Sequence, residues 1–378
     1  MKLQVLQENL EKAVSTTSRF ASSRAQLPIL GNILLSTRKS KIYISSTNLE
    51  ISASVQVGAK IEEEGEISVP AKVISELVAN LPRETVTLAG EKEQLKVSVS
   101  GFSSTVLGMN PADFPKIPNT VDKEKSINFS QDEIVKALGQ VVFATSTDET
   151  RPILTGVLFL FEKGSLSLVA TDGFRLSRKT LSLKTEKVKT GNVVIPKGVL
   201  SEILRTVSED GEILFNVQDK EKQVIFGIGD TVLTSRLLEG EYPDFEKIIP
   251  KNSSIKVFLD KEEFMRAVKL ASIFARESAN IIKIKVLKDS LNVSAESGTA
   301  GSQETRVDAK VESSDSNLES GKTEFEIAFN YRFVEEFLHS VGGEEVKMEF
   351  STVSAPGVFT DTSDSSYLHL IMPVKVQG

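Results

Sequence analysis

The chain has 378 residues, enough at about 150 per domain for two to three domains that each bury a core. Its 45 Lys and Arg against 52 Asp and Glu leave a net charge of −7, which excludes a strongly basic nucleic-acid coat or polybasic membrane binder and makes any DNA contact local. With no Cys and only His339 and His369, zinc, iron–sulfur and disulfide frameworks built on cysteine are excluded, and nucleophile–His catalysis has little to draw on.

In chain order, the first segment alternates (Leu3, Val5) and then takes helical spacing (Leu10, Ala13, Val14), without the apolar core of a signal peptide. No run approaches the roughly 18 apolar residues of a membrane span, so a soluble, cytoplasmic protein with no membrane partner is expected. Leu27-Pro28-Ile29-Leu30-Gly31-Asn32 leads into an apolar run, and Lys41–Ser45 and Glu93–Val99 read as strands. Ile67-Ser68-Val69-Pro70 precedes Val73, Leu77 and Val78 at helical spacing, with Pro70 where a helix start tolerates the missing N–H.

The same order then returns. Arg151-Pro152-Ile153-Leu154 repeats Leu27-Pro28-Ile29-Leu30 at an offset of 124, and Ile127, Phe129, Ile134, Ala137 and Leu138 repeat the first five apolar positions. Val193–Pro196 precedes Val199, Ile203 and Leu204 as the second strand–helix pair. Val257, Leu259, Phe264, Ala267 and Val268 open a third copy, and Phe325–Asn330 before Phe333, Phe337 and Leu338 closes it, with Asn330 as a helix cap. The third copy keeps only Ile281–Ile284 of the Pro-Ile-Leu element, and its polar Glu296–Ser320 stretch reads as a long hairpin loop. Each third therefore carries two helices and many strands, an α+β chain of three repeats bounded at 1–125, 126–252 and 253–378. The linkers are Phe114–Pro118 and the stretch from Tyr242-Pro243 to Pro250.

Catalytic motifs fail inspection. Gly321-Lys322-Thr323 has Ser316 where a P-loop needs its first Gly, and Gly227-Ile228-Gly229 has Val232 where a dinucleotide fingerprint needs its third, leaving a bulge or turn. His339 falls at a helix end, and His369 alternates with Leu368 and Leu370 as a solvent-facing strand residue. Asp148, Glu149 and Asp172 could pair as acid and base in a hydrolase, yet turn chemistry accounts for them. A β-rich scaffold that binds proteins but not DNA is the third class of reading.

Taken together, Leu27–Asn32, the run Ala170-Thr171-Asp172-Gly173-Phe174-Arg175-Leu176 and the terminal Met372-Pro373-Val374-Lys375 resemble the bacterial β sliding clamps, the processivity factors of replicative DNA polymerases. The resemblance covers essentially the whole chain. It implies a head-to-tail homodimer, three domains per chain forming a six-domain ring, with sheets outside and helices lining a hole around double-stranded DNA without sequence specificity. It implies no cofactor, no metal and no catalytic residue, and as partners the replicative polymerase, the clamp loader and other proteins bearing a clamp-binding motif.

The DNA contacts would be Arg24 in a loop and the helix cations Lys12, Arg19, Lys72, Lys136, Lys197, Arg205, Arg266, Lys269, Arg276 and Arg332. The family's peptide pocket would comprise Leu154, Thr171, Gly173, Phe174, Arg175, Leu176, Pro243, Lys247, Ile248, Leu370, Met372, Pro373, Val374 and Lys375. Within it Leu176, Ile248 and Met372 would present apolar surface, and loss of Met372 onward would trim only an edge. The dimer interface would bring Val106 and Leu107 against Ile273 and Phe274 of the other chain. Phe174 and Lys247 stand where relatives carry His and Arg.

Overall fold

A computed structural model describes residues 1–22, 27–183, 190–207, 211–314, 318 and 324–375. Strand-then-helix order recurs as the alternation requires. The described helices are α1 (Gln7–Ser18), α2 (Ala71–Ala79), α3 (Gln131–Val141), α4 (Lys197–Thr206), α5 (Lys261–Ala275) and α6 (Tyr331–Ser340). Local chemistry fixes their starts: the Asp260 side chain accepts from Glu263 N at 2.8 Å, and Asn330 accepts from Arg332 N at 3.0 Å. Asp132, Glu133, Glu262 and Glu263 occupy first turns, where the helix dipole favours acids.

The strands form four antiparallel sheets, here in spatial order. A five-stranded sheet runs Lys60–Glu63, Lys2–Leu6, Thr85–Glu91, Gln94–Val99, Phe102–Leu107. An eight-stranded sheet runs Ile127–Ser130, Glu212–Gln218, Gln223–Ile228, Thr231–Arg236, Ile51–Gly58, Lys41–Thr47, Asn32–Arg38, Glu66–Pro70. A nine-stranded sheet runs Gly191–Pro196, Gly156–Glu162, Ser165–Thr171, Arg175–Ser182, Tyr367–Ile371, Gly357–Asp361, Glu345–Phe350, Ile255–Asp260, Lys310–Ser313. A four-stranded sheet runs Gly301–Asp308, Ser290–Ser297, Ile281–Val286, Phe325–Asn330.

The chain divides into two compact units, Met1–Val135 with Gly198–Leu237, and Lys136–Lys197 with Leu238–Gly378. In the first, Thr231–Ser235 of the second repeat pairs with Ile51–Val55 of the first. In the second, Arg175–Lys179 of the second repeat pairs with Tyr367–Ile371 of the third. Each joint between repeats is thus a continuous backbone ladder. The first unit packs Leu10 and Val14 of α1 and Ile74 and Val78 of α2 against Leu3, Ile44, Leu88 and Val97. The second packs Phe264 and Val268 of α5 and Val334 and Phe337 of α6 against Val257, Ile284, Val293 and Phe359. At roughly 1.5–3 kcal/mol per buried large side chain, these cores supply most of the driving force.

Two expectations are corrected. Within Glu296–Ser320 the described residues are not a loop: Ser290–Ser297 pairs with Gly301–Asp308 in a regular hairpin and Lys310–Ser313 joins the nine-stranded sheet, because Val293, Ala295 and Val307 supply an inward face under α5. His369 does not face solvent. Its sheet is covered on both sides, and the imidazole is fully buried between Phe143 and Phe337, with ring centroids at 5.4 and 5.5 Å. Its Nδ1 lies 2.6 Å from Ser177 Oγ, while Nε2 has no hydrogen-bond partner. Nearby, buried Lys179 donates to both carboxylate oxygens of Asp364 at 2.7 and 2.5 Å.

Burial, helped by the Arg175 charge, pushes the His369 pKa down to about 3. A group depressed on folding contributes stability that is complete above its unfolded pKa, about 6.5, and is lost as pH falls toward the folded value. Burial alone would raise the Asp364 carboxyl, but hydrogen bonds from Lys179, Ser366 and Gln140 outweigh it and hold the group far below the usual range. Its contribution is lost only below about pH 4. Unfolding free energy from urea titrations should therefore fall from pH 6.5 downward, and His369→Phe should flatten the decline between pH 6 and 4.5. Equal slopes for the two chains would place the acid sensitivity elsewhere.

Candidate functional site

The turn Thr171–Arg175 is held by its own side chains. Thr171 Oγ1 donates to Arg175 O at 2.6 Å and accepts from Gly173 N at 3.1 Å, and Asp172 Oδ1 accepts from Phe174 N and Arg175 N at 2.9 and 3.0 Å. Gly173 has φ +93°, and a Cβ there would also sit 3.3 Å from Arg151 Nη1, so glycine fits on both counts. The turn pushes Phe174 outward, 62% exposed, and folds Arg175 inward. Met372 N donates to Phe174 O and Val374 N to Ala328 O, each at 2.8 Å. Met372 and Val374 are thereby tied to the turn and to a neighbouring strand, so removal of Met372 onward would take away these two bonds.

Arg175 was expected to meet a ligand; its guanidinium is instead spent inside the chain. It lies over the rings of Phe143 and Phe333, 5.4 and 4.5 Å from the centroids. It donates to Asp172 Oδ2 at 3.1 Å, to Phe143 O at 2.8 Å, and to Glu336. Leu154, Thr171, Leu176 and Leu370 are likewise buried. Leu176 and Leu370 form a cluster with Leu158, Val169, Val194, Phe245 and Val358, so Leu176 offers core and not surface. The outward members of the expected pocket are Gly173, Phe174, Pro243, Lys247, Ile248, Met372 and Lys375, with Pro373 and Val374 half-buried. Ile248 is 45% and Met372 38% exposed. Lys247 is ion-paired with Asp244 at 2.9 Å, which holds the Asp244 carboxyl below its usual range.

Beside this cluster a concavity of about 600 Å³ is lined by Leu158, Leu160, Asn192, Val194 and Gly240–Glu246; of the expected residues only Pro243 belongs to it. Its other walls were missed in the sequence. Leu158 and Leu160 fall on one face of an alternating strand, and Tyr242 and Phe245 are aromatic residues in a Pro-containing linker, which are the signals that could have found them.

The helix cations divide into two groups. Lys12, Lys72, Arg266, Lys269 and Arg332 are exposed and form no ion pair among the described residues, and Lys197 is half-buried. The others are engaged: Arg19 pairs with buried Glu202, Arg205 lies 3.6 Å from the same carboxylate, Lys136 lies 3.7 Å from Asp364, and Arg276 donates to Tyr331 Oη at 3.2 Å. Arg24 lies outside the described residues. At the expected dimer contacts, Leu107 and Ile273 are 68% and 57% exposed and Phe274 is half-buried, but Val106 is buried in its own core because it faces inward from Phe102–Leu107.

Two carboxylates of the hydrolase reading, Asp148 and Asp172, are taken up by turns, and Glu149 is exposed. Asp148 accepts from Thr150 N and Oγ1 and from Arg151 Nε, which hold it ionised below its usual range, and Asp172 serves the turn and Arg175. Among the described residues no three His, Asp or Glu side chains converge on a point that could hold a metal, and no helix is long and apolar enough to cross a membrane. A lysine cannot make the stacked, three-way contact of Arg175. Arg175→Lys should destabilise the fold by about 2 kcal/mol or more through unpaired buried groups, while Phe174→Ala stays within about 0.5 kcal/mol, as read from denaturant midpoints. Equal midpoints for the two variants would contradict this division.

Comparison with known proteins agrees along the whole chain. Family models of the DNA polymerase III beta subunit match in three segments, the N-terminal domain over residues 1–118, the central domain over 128–244 and the C-terminal domain over 246–375. The beta sliding clamp of Staphylococcus aureus is 30% identical over 372 residues, 96% of each chain, and that of Staphylococcus epidermidis 29% over 385 residues, 99% of each. The crystal structure of the DNA polymerase sliding clamp from Bacillus subtilis matches with a TM-score of 0.93 at 27% identity and covers both chains completely. A thrice-repeated α+β unit joined by unbroken sheets, with relatives of this likeness along its full length, places the chain in the beta sliding clamp family, the DNA polymerase III beta subunits of DNA replication.

Proposed function

We propose that two copies of this chain join head to tail in a closed ring around duplex DNA and tether the replicative polymerase, the clamp loader and other partners through short peptides, without catalysis and without a cofactor. The chain would act in the cytoplasm, as three domains of 1–125, 126–252 and 253–378, a division the three family segments support.

One observation supports the ring: two of the sheets' border strands lie beside exposed apolar side chains. Phe102–Leu107 ends the five-stranded sheet and Gly301–Asp308 ends the four-stranded one, each with a strand partner on one side only. Open edges are templates for another strand. Exposed Leu107 next to one, and Ile273 on α5, which packs on the other, supply apolar surface for a twofold pair of contacts. The exposed cations on α1, α2, α5 and α6 suit phosphate contacts that carry no sequence information. Phe174, Ile248 and Met372 offer apolar surface for a peptide anchor.

Topological linkage has its own signature. Once loaded, the protein should stay with closed circular DNA through a salt wash and leave when the circle is cut, and Ile273→Ala with Phe274→Ala should lower the sedimenting mass toward one chain at low micromolar concentration. Retention unaffected by linearisation would remove the ring. For tethering, Ile248→Ala with Met372→Ala should weaken a labelled polymerase-derived peptide about tenfold or more while the dimer persists, since anchor truncations commonly cost ~2 kcal/mol. Unchanged affinity would move the site elsewhere.

A further inference from the structure

The repeat offset of 124 maps Thr47–Ile51 of the first repeat onto Thr171–Arg175 of the second, and the two turns are built alike bond for bond. Thr47 Oγ1 donates to Ile51 O and accepts from Leu49 N, both at 3.0 Å, and Asn48 Oδ1 accepts from Glu50 N and Ile51 N at 3.0 and 2.8 Å. Leu49 has φ +76° where Gly173 has +93°, a conformation a leucine rarely adopts, and its side chain is 47% exposed. Beyond the turn, Arg236 N donates to Glu50 O at 2.9 Å as Met372 N does to Phe174 O. The linkers match as well: Phe114-Pro115-Lys116-Ile117 and Phe245-Glu246-Lys247-Ile248 each bury the Phe and turn the Lys outward.

These elements of the first joint surround a concavity of about 230 Å³, whose lining includes Leu49, Ile51, Pro115, Ile117, Thr234 and Arg236. Drug-sized ligands occupy about 300–1,000 Å³, so this space suits one or two side chains of a docked segment. Its chemistry is a polar version of the other joint. In ladder register, Thr234 stands for Leu370, Ser52 for Leu176, Arg236 for Met372 and Glu50 for Phe174. Thr234 is 5% exposed, and its hydroxyl has no hydrogen-bond partner, a costly state for a buried donor. Arg236 and Lys116 are exposed at the rim against the single carboxylate of Glu50.

We propose that the joint between the first and second repeats is a second peptide-docking notch, which holds an extended segment of a partner protein by an acidic side chain. The carboxylate accepts from the Thr234 hydroxyl and pairs with Arg236, and Leu49, Pro115 and Ile117 cover the apolar neighbours of the acidic residue. The inference rests on reading the second joint as a peptide site.

The test uses the full chain with labelled Ile, Leu and Met methyl groups, titrated with the probe acetyl-Ser-Leu-Asp-Leu-Gly-amide and, separately, with the polymerase-derived peptide. The acidic probe should shift the Leu49, Ile51 and Ile117 methyl signals saturably. Its Asn counterpart should bind about tenfold more weakly, as should the acidic probe to Thr234→Val, and Arg236→Glu at its exposed position should abolish the shifts. Thr234→Ser, which keeps the hydroxyl, should retain them. Silent Leu49, Ile51 and Ile117 signals at millimolar probe, with Ile248 and Met372 responding to the polymerase peptide, would overturn the notch alone. Equal affinity for the Asp and Asn probes would overturn the acidic anchor, and movement of these signals only with a short DNA duplex would overturn the peptide assignment. Saturable shifts at the first joint with silent Ile248 and Met372 would support the notch and remove the peptide reading of the second joint.

Discussion

A strand at the border of a sheet carries a row of N–H and C=O groups that need a partner, and this requirement organises the whole chain. Each repeat leaves a strand that the next one takes up. Ile51–Val55 is paired by Thr231–Ser235, and Arg175–Lys179 by Tyr367–Ile371, so each joint is made by the backbone and not only by side chains in contact. A ladder of this kind fixes register. Slipping by one residue would turn every inward side chain outward, which neither flanking core tolerates. The pairing also anchors the approach to Met372, since the strand leading into it lies inside a nine-stranded sheet.

The two joints share a backbone and differ in how they fill it. At the second, ionic and polar groups gather around buried side chains: Arg175 with Asp172 and half-exposed Glu336, Lys179 with Asp364, His369 with Ser177. Buried ion pairs of this sort rarely add net stability over apolar replacements, but removing one partner strands the other. They favour one docking of these strands, the one that satisfies all the groups. At the first joint the register places Ile51, Ala53 and Val55 where the second has Arg175, Ser177 and Lys179, and the smaller Ser52 and Thr234 where it has Leu176 and Leu370, which leaves room.

Much of the architecture was legible in the sequence because it depends on spacing. The three strand–helix openings, the helix start at Asn330, and the α+β class follow from apolar periodicity and cap chemistry. What was misread depends on the layer above a strand. His369 sits in plain alternation, which implies a wet face only when that face is open; here Phe143 and Phe337 close it. Leu176 and Arg175 were assigned to a surface by the family resemblance, which says nothing of the layer packed on them here, and the polar Glu296–Ser320 stretch hid a hairpin whose few apolar residues sit under α5. The members of the candidate pocket that do face outward, Phe174, Ile248 and Met372, could be located only once the turn and the stitched terminus were seen.

Charge poses the last question, because the chain is acidic and its proposed ligand is too. Part of the positive charge on the helices is neutralised within the chain: buried Glu202 faces both Arg19 and Arg205, and Asp364 faces Lys136 as well as Lys179. Such tethered cations have their field blunted by a carboxylate a few ångströms away, while Lys12, Lys72, Arg266 and Lys269 keep theirs. A protein that held DNA by affinity would need many free cations, since counterion release scales with the number of phosphates neutralised. A protein that holds DNA by enclosure needs the reverse. Each strong phosphate contact would have to break at every step along the duplex and would add to the barrier against sliding, so in the proposed ring a sparse and partly neutralised set of cations would let an enclosed duplex move.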